Sequence, residues 1–142
     1  MESKKHHSLV KKIYDYVIAN EKAEKSLIQS DVFEISGNVT RMPEGFVPDL
    51  YYKYENRIII GEAKTDYDLD REHSILQFES YVKYMKKYVN SGYNCKFIIA
   101  VPWEASIAAG RIIRKIIGEE SIDLIVLNES GVFRKYEKNS IR

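Results

Sequence analysis

The run Arg57-Ile58-Ile59-Ile60-Gly61-Glu62-Ala63-Lys64-Thr65 constrains the fold of this chain most. Three consecutive isoleucines favour an extended strand and leave it no polar face. Such a strand needs cover on both sides, which places it in the middle of a sheet. The stretch before it, residues 46–54, is also rich in aromatic and β-branched side chains. Glu55-Asn56 joins the two, and together they read as a β-hairpin.

A hairpin fixes which residues face each other. With a two-residue turn, Tyr54 faces Arg57, and stepping outward brings Asp49 opposite Glu62 on one face. A loop of odd length would shift this register by one. Opposed Cβ atoms lie about 4.5–5.5 Å apart, and like charges so placed repel. A cation between the two carboxylates removes the conflict. Mg²⁺ is typically held by one or two carboxylates together with waters and substrate phosphate. Lys64 follows Glu62 by two residues, so it projects from the same strand face. There it can stabilise charge on a phosphate or orient an attacking water. Pro48 has no N–H and suits the start of a strand. The competing reading is a strand end carrying solvated surface charge, which contributes little to stability. The apolar run and the Pro48-Asp49 pair weigh against it.

The remaining chain supplies helices and further strands. Residues 5–20 carry Leu9, Val10, Ile13, Tyr14, Val17 and Ile18 at helical spacing. Residues 21–30 extend that helix or form a second short one. Residues 32–35 read as a strand, closed by Gly37-Asn38. After a polar loop with Asp66, Asp68 and Asp70, a helix runs to about Asn90, with Asp70 as its expected cap. Its apolar stripe is Ile75, Phe78, Val82, Met85 and Val89. Residues 96–102 read as a buried strand, 104–117 as a helix, 122–127 as a strand and 132–136 as a short edge strand. The order is α-β-β-β-α-β-α-β, an α/β fold in which helices flank a mixed central sheet. At 142 residues without a linker-like stretch, a single domain over 1–142 is expected.

At the hairpin and the helix after it, the chain resembles the PD-(D/E)xK nuclease superfamily. The matching pieces are Pro48-Asp49, then Glu62-Ala63-Lys64 at the end of an apolar strand. Gln77-Phe78-Glu79-Ser80-Tyr81 follows on a helix and resembles the Gln-x-x-x-Tyr motif of the RecB-like branch. The resemblance covers roughly residues 5–102 and implies a restriction-endonuclease-like α-β-β-β-α-β core. It implies Mg²⁺ or Mn²⁺ held by Asp49, Glu62 and the Ala63 backbone carbonyl. It assigns Lys64 to the attacking water, with Gln77 and Tyr81 completing the catalytic set. The implied activity is metal-dependent hydrolysis of DNA phosphodiesters, leaving 5′-phosphate and 3′-hydroxyl ends, structure-directed or accessory in repair, recombination or phage and defence processing. Many members add an acid from the first helix, for which Asp15, Glu21 and Glu24 are the candidates. The alternative is an inactive nuclease-like module that binds nucleic acid or a partner protein. A junction resolvase would need a homodimer, which nothing in the chain establishes.

His73, Gln77, Tyr81, Tyr84 and Tyr88 form a stripe beside the apolar one. Tyr84 and Tyr88 are expected to pad the edge of the core. His6 and His7 are expected to be frayed and solvent-exposed. Trp103 is expected to be half-buried, although a Trp at a strand end can stack on a base. The single cysteine, Cys95, excludes an internal disulfide and fits a reducing, cytoplasmic location. No apolar run approaches a membrane span, and the N-terminal residues lack a secretory signal core.

With 22 basic and 21 acidic side chains, the formal net charge of +1 argues at first against a nucleic-acid partner. The segments differ, however. Residues 26–82 hold five basic and eleven acidic groups, net −6, while residues 83–115 hold seven and one, net +6. The acidic block contains the proposed metal ligands. Lys83, Lys86, Lys87, Arg111, Arg114 and Lys115 in the basic block either track a phosphate backbone or form solvated helix faces.

Overall fold

The computed structural model describes residues 3–31, 38–65, 68–131 and 133–137. Among these, five strands form one mixed sheet and three α-helices cover it. In chain order they are α1 (Lys4–Asn20), β1 (Leu50–Tyr54), β2 (Arg57–Ala63), α2 (Glu72–Val89), β3 (Asn94–Ala100), α3 (Ser106–Ile117), β4 (Ile122–Leu127) and β5 (Phe133–Tyr136). The strand expected over residues 32–35 lies outside the described residues. Residues 21–30 contain a 3-10 turn, Lys25–Leu27, rather than an extension of α1. Gln29 then forms an isolated antiparallel bridge to Tyr51 on the outer edge of β1.

The sheet order is β1-β2-β3-β4-β5. The β1–β2 and β4–β5 pairs are antiparallel, while β2–β3 and β3–β4 are parallel. Each parallel step needs a crossover, which α2 and α3 provide. Both crossovers pack on one face of the sheet, and α1 covers the other together with Ala23 and Ile28. The triple-isoleucine strand is β2, next to the middle of the sheet. Ile58 and Ile60 enter the α2/α3 core with Phe78, Tyr81 and Phe97. Ile59 enters the α1 core with Leu9, Ile13 and Ile98. Burying each such side chain contributes about 1.5–3 kcal/mol, so the run stabilises both layers at once.

Gly61 sets the distance between α1 and the sheet. A Cβ at this position would stand 2.7 Å from Ile13 Cγ2 and 3.3 Å from Leu50 Cβ. The missing side chain therefore lets α1 lie close over β2. His6 precedes Ile13 by seven residues, two turns along the same helix face. The close approach at Gly61 thus brings the first turn of α1 to the far end of β2.

Element ends differ from the sequence expectations in places. β1 begins at Leu50, because Pro48 lacks the N–H a ladder needs. The N-cap of α2 is Arg71 without a side-chain cap bond, not Asp70. Instead, Ser74 Oγ donates to Asp68 O at 2.7 Å and closes the entry. A 3-10 turn, Trp103–Ala105, precedes α3 where one continuous helix was expected.

Candidate active site

The expected hairpin register is the observed one. Tyr54 pairs with Arg57, and the ladder continues through Tyr52–Ile59 to Leu50–Gly61. The ladder stops one step short of Asp49 and Glu62, and side chains take over from backbone. The Asp49 N–H donates to Glu62 Oε1 at 3.2 Å, and the Ala63 N–H donates to Asp49 Oδ2 at 2.9 Å. The two acids are thus held together at the C-terminal end of β2.

The backbone explains the carbonyl of Ala63 as well. Tyr51 exchanges both its N–H and C=O with Gln29, so its polar groups face away from β2. The alternation along an antiparallel strand then turns Leu50 and Tyr52 toward β2. Continued by two residues, the same phase puts Pro48 opposite Ala63. Proline has no N–H to offer, so the Ala63 carbonyl meets no ladder donor from that strand.

Lys64 and α2 complete the cluster. Lys64 Nζ lies 3.6 Å from Glu62 Oε2, with its side chain 12% exposed. Gln77 Oε1 accepts a hydrogen bond from Lys64 Nζ. Tyr81, fully buried, donates from its hydroxyl to Glu62 Oε1 at 3.1 Å. Gln77 and Tyr81 lie four residues apart, so one turn of α2 addresses both residues of the Glu-x-Lys pair. All five side chains named from the sequence, Asp49, Glu62, Lys64, Gln77 and Tyr81, therefore meet in one linked set.

His6 was expected to be frayed and is instead part of this set. Its Nε2 lies 3.1 Å from Asp49 Oδ2, and its side chain is only 18% exposed. The legible signal was Ser3, whose side chain accepts from the His6 N–H at 3.0 Å and caps α1. A capped first turn does not fray. The three first-helix acids go elsewhere. Asp15 is half exposed and pairs with Lys11 at 3.0 Å. Glu21 binds Lys96 at 2.8 Å and stands 3.8 Å from Arg57, at the hairpin-turn end of the sheet. Glu24 is anchored through its backbone, its N–H donating to Tyr52 Oη at 3.0 Å.

The electrostatics of Glu62 are unusual. It is 4% exposed, and burial lifts its carboxyl well above the ordinary value of 4.5. The neighbouring Asp49 charge lifts it further, while Lys64, the Tyr81 hydroxyl and the Asp49 N–H oppose the rise. The Tyr81 hydroxyl is in turn pushed up, first by burial and then by Glu62. A buried carboxylate beside another carboxylate is unfavourable unless a positive charge joins them.

Other sequence candidates have structural roles. Tyr84 shares a 2.6 Å hydrogen bond with Tyr51, and Tyr88 packs edge-on against Tyr93. Both pad the α2/α3 core edge as expected. His73 packs edge-on against Phe46. Asp68 accepts from Thr65 Oγ1 at 2.9 Å, and Asp66 lies outside the described residues. Several of the basic helix residues are engaged by acids or rings. Lys83 reaches Glu44 at 3.3 Å, Lys86 reaches Glu120 at 3.4 Å, and Arg114 lies over the Tyr136 ring. Lys83, Lys86 and Lys115 line an α2–α3 groove of about 730 Å³ that shares no residue with the Asp49–Glu62 cluster. Part of the basic block is therefore gathered along this groove.

Among the described residues, no group of three or more His, Cys, Asp or Glu side chains is arranged to hold a metal ion. The donor set at the strand end is two carboxylates and the Ala63 carbonyl. That set fits a hard, oxygen-seeking ion that keeps several waters. Among the same residues, no helix is long and apolar enough to cross a membrane. No protein family, no curated protein and no solved structure matches this chain.

Proposed function

We propose that this chain is a PD-(D/E)xK-type nuclease that hydrolyses DNA phosphodiesters with Mg²⁺ or Mn²⁺. The observation that carries the reading is the pairing of half-buried Asp49 with buried Glu62, with Lys64 on the same strand end. Like charges in that position repel, and a bound cation would make the arrangement favourable. Asp49, Glu62 and the Ala63 carbonyl would hold it. When bound, it would polarise the scissile phosphate and lower the pKa of a water.

The residues of the chain do the rest. Lys64 places its ammonium beside the phosphate oxygens, where negative charge grows as water attacks phosphorus. The attacking oxygen becomes part of the 5′-phosphate, and the departing 3′ oxygen takes a proton to become a hydroxyl. Gln77 holds Lys64 in place, and Tyr81 holds Glu62. His6 holds Asp49 from the opposite layer. The three supporting contacts come from α1 and α2, so both layers of the fold position the site.

A cleavage panel of single-stranded, duplex and branched DNA, with RNA as comparison, tests the reading. Cleavage with Mg²⁺ or Mn²⁺ that stops on chelation is expected. No cleavage of any substrate with either metal would favour a nuclease-like binding module. Cleavage of RNA alone would overturn the DNA assignment.

A further inference from the structure

Trp103 is the only tryptophan in the chain, and it is 64% exposed. It was expected to be half-buried, and its exposure is what calls for an explanation. A large aromatic surface left in water forgoes the stabilisation that burial would give it. Nearby, Ile107 is 70% and Phe133 40% exposed.

The position of Trp103 selects among contacts. The Lys64 N–H bonds to Ala100 O at 3.0 Å, so the ends of β2 and β3 abut. Trp103 follows Ala100 by three residues, at most about 10 Å of chain. It therefore follows the strand end that adjoins Lys64, on the side of the sheet where the strands of the candidate site also end. Its backbone is fixed on both sides. Pro102 precedes it with a ring-locked φ of −58°, and its own N–H donates to Glu129 Oε1 at 2.8 Å. Ile107, Phe133 and Arg134 line a cleft of about 280 Å³ at the start of α3, next to the turn that carries Trp103. The edge also carries Glu104 and Glu129, so the local charge is mixed and a purely electrostatic grip is excluded.

We propose that Trp103 is a stacking platform for an unpaired nucleobase beside the scissile phosphate. The preferred substrate is then single-stranded or frayed nucleic acid rather than blunt duplex. Base–aromatic stacking tolerates any sequence and needs little charge, which suits this mixed-charge edge. Arg134 would meet the backbone phosphate of the stacked nucleotide. This inference rests on the nuclease reading for the location of the phosphate.

The lone tryptophan supplies the test. Full-length protein in chelator is titrated with an oligo-dT strand and with a blunt duplex, following tryptophan emission. Saturable quenching by oligo-dT and none by duplex is expected. By anisotropy, Trp103→Ala should bind oligo-dT about 5- to 100-fold more weakly, and Trp103→Phe should bind nearly as wild type. Unchanged binding in Trp103→Ala, or absence of quenching, overturns the proposal. So does emission that shifts with protein concentration alone, because a second copy then covers the ring. Cleavage of oligo-dT with Mn²⁺ is read in parallel. Cleavage without quenching sinks the platform and leaves the nuclease reading standing. Quenching without cleavage overturns the nuclease reading and, with it, the placement of the stacked base beside a scissile phosphate.

Discussion

Glu62→Gln should stabilise the metal-free protein at alkaline pH while abolishing the proposed cleavage. Besides the hydrogen bonds from Tyr81 and the Asp49 N–H, which favour it, three contributions act on the ionised carboxylate. Lys64 attracts it across 3.6 Å, worth about 4–5 kcal/mol at an effective dielectric of about 20. Asp49 repels it at about 5 Å, costing about 3 kcal/mol. Removal from water at 4% exposure costs several kcal/mol more. The balance leaves a net penalty of about 1–3 kcal/mol on the ionised form. Because the folded-state value is raised, the folded protein keeps this proton longer than the unfolded chain does. The associated stability is complete below the ordinary value of 4.5 and is lost as pH rises through the raised value. Glutamine keeps the shape and the acceptor for Tyr81 but does not titrate. In chelator, calorimetric melting of the two proteins should coincide near pH 4 and separate with rising pH. By pH 8 the variant should melt about 3–10 °C higher. A variant that is less stable at pH 8, by a margin that does not change with pH, would refute the strained-carboxylate reasoning.

Two further outcomes follow from the same geometry. Lys64→Ala should lower the cleavage rate by about 100-fold or more, the usual cost of losing a transition-state charge partner, with the circular dichroism spectrum unchanged. Gly61→Ala should destabilise the fold by about 1–3 kcal/mol in urea unfolding, because the new methyl meets Ile13 at 2.7 Å. It should also weaken catalysis, since the displaced helix carries His6 away from Asp49.

The central hairpin was the most legible part of the fold. A two-residue turn and a period of two leave little freedom, so register and the Asp49–Glu62 meeting followed from residue positions alone. The long helix was equally readable, because Phe78, Val82 and Met85 repeat with the helical period and are buried. Element ends were harder. The missing ladder N–H at Pro48 and the Ser74–Asp68 bond decide them, and both are single local contacts. His6 was missed because terminal residues ordinarily fray; the Ser3 cap was a local signal against that, while the close packing at Gly61 that carries His6 to the strand end acts through tertiary structure. The first-helix acids misled for a related reason. Helical periodicity does not say which end of α1 lies over the strand ends, and Glu21 sits at the end where Lys96 and Arg57 neutralise it. Trp103 was misjudged because a Trp after a buried strand is ordinarily covered, whereas here a 3-10 turn lifts it off the core.

The central claim is that a divalent ion completes the Asp49–Glu62 pair. Calorimetric titration of Mn²⁺ into the wild type, Asp49→Asn and Glu62→Gln tests it most directly. The wild type should show one saturable site that is lost in both variants. No saturable binding in the wild type, or binding that survives both substitutions, would contradict it.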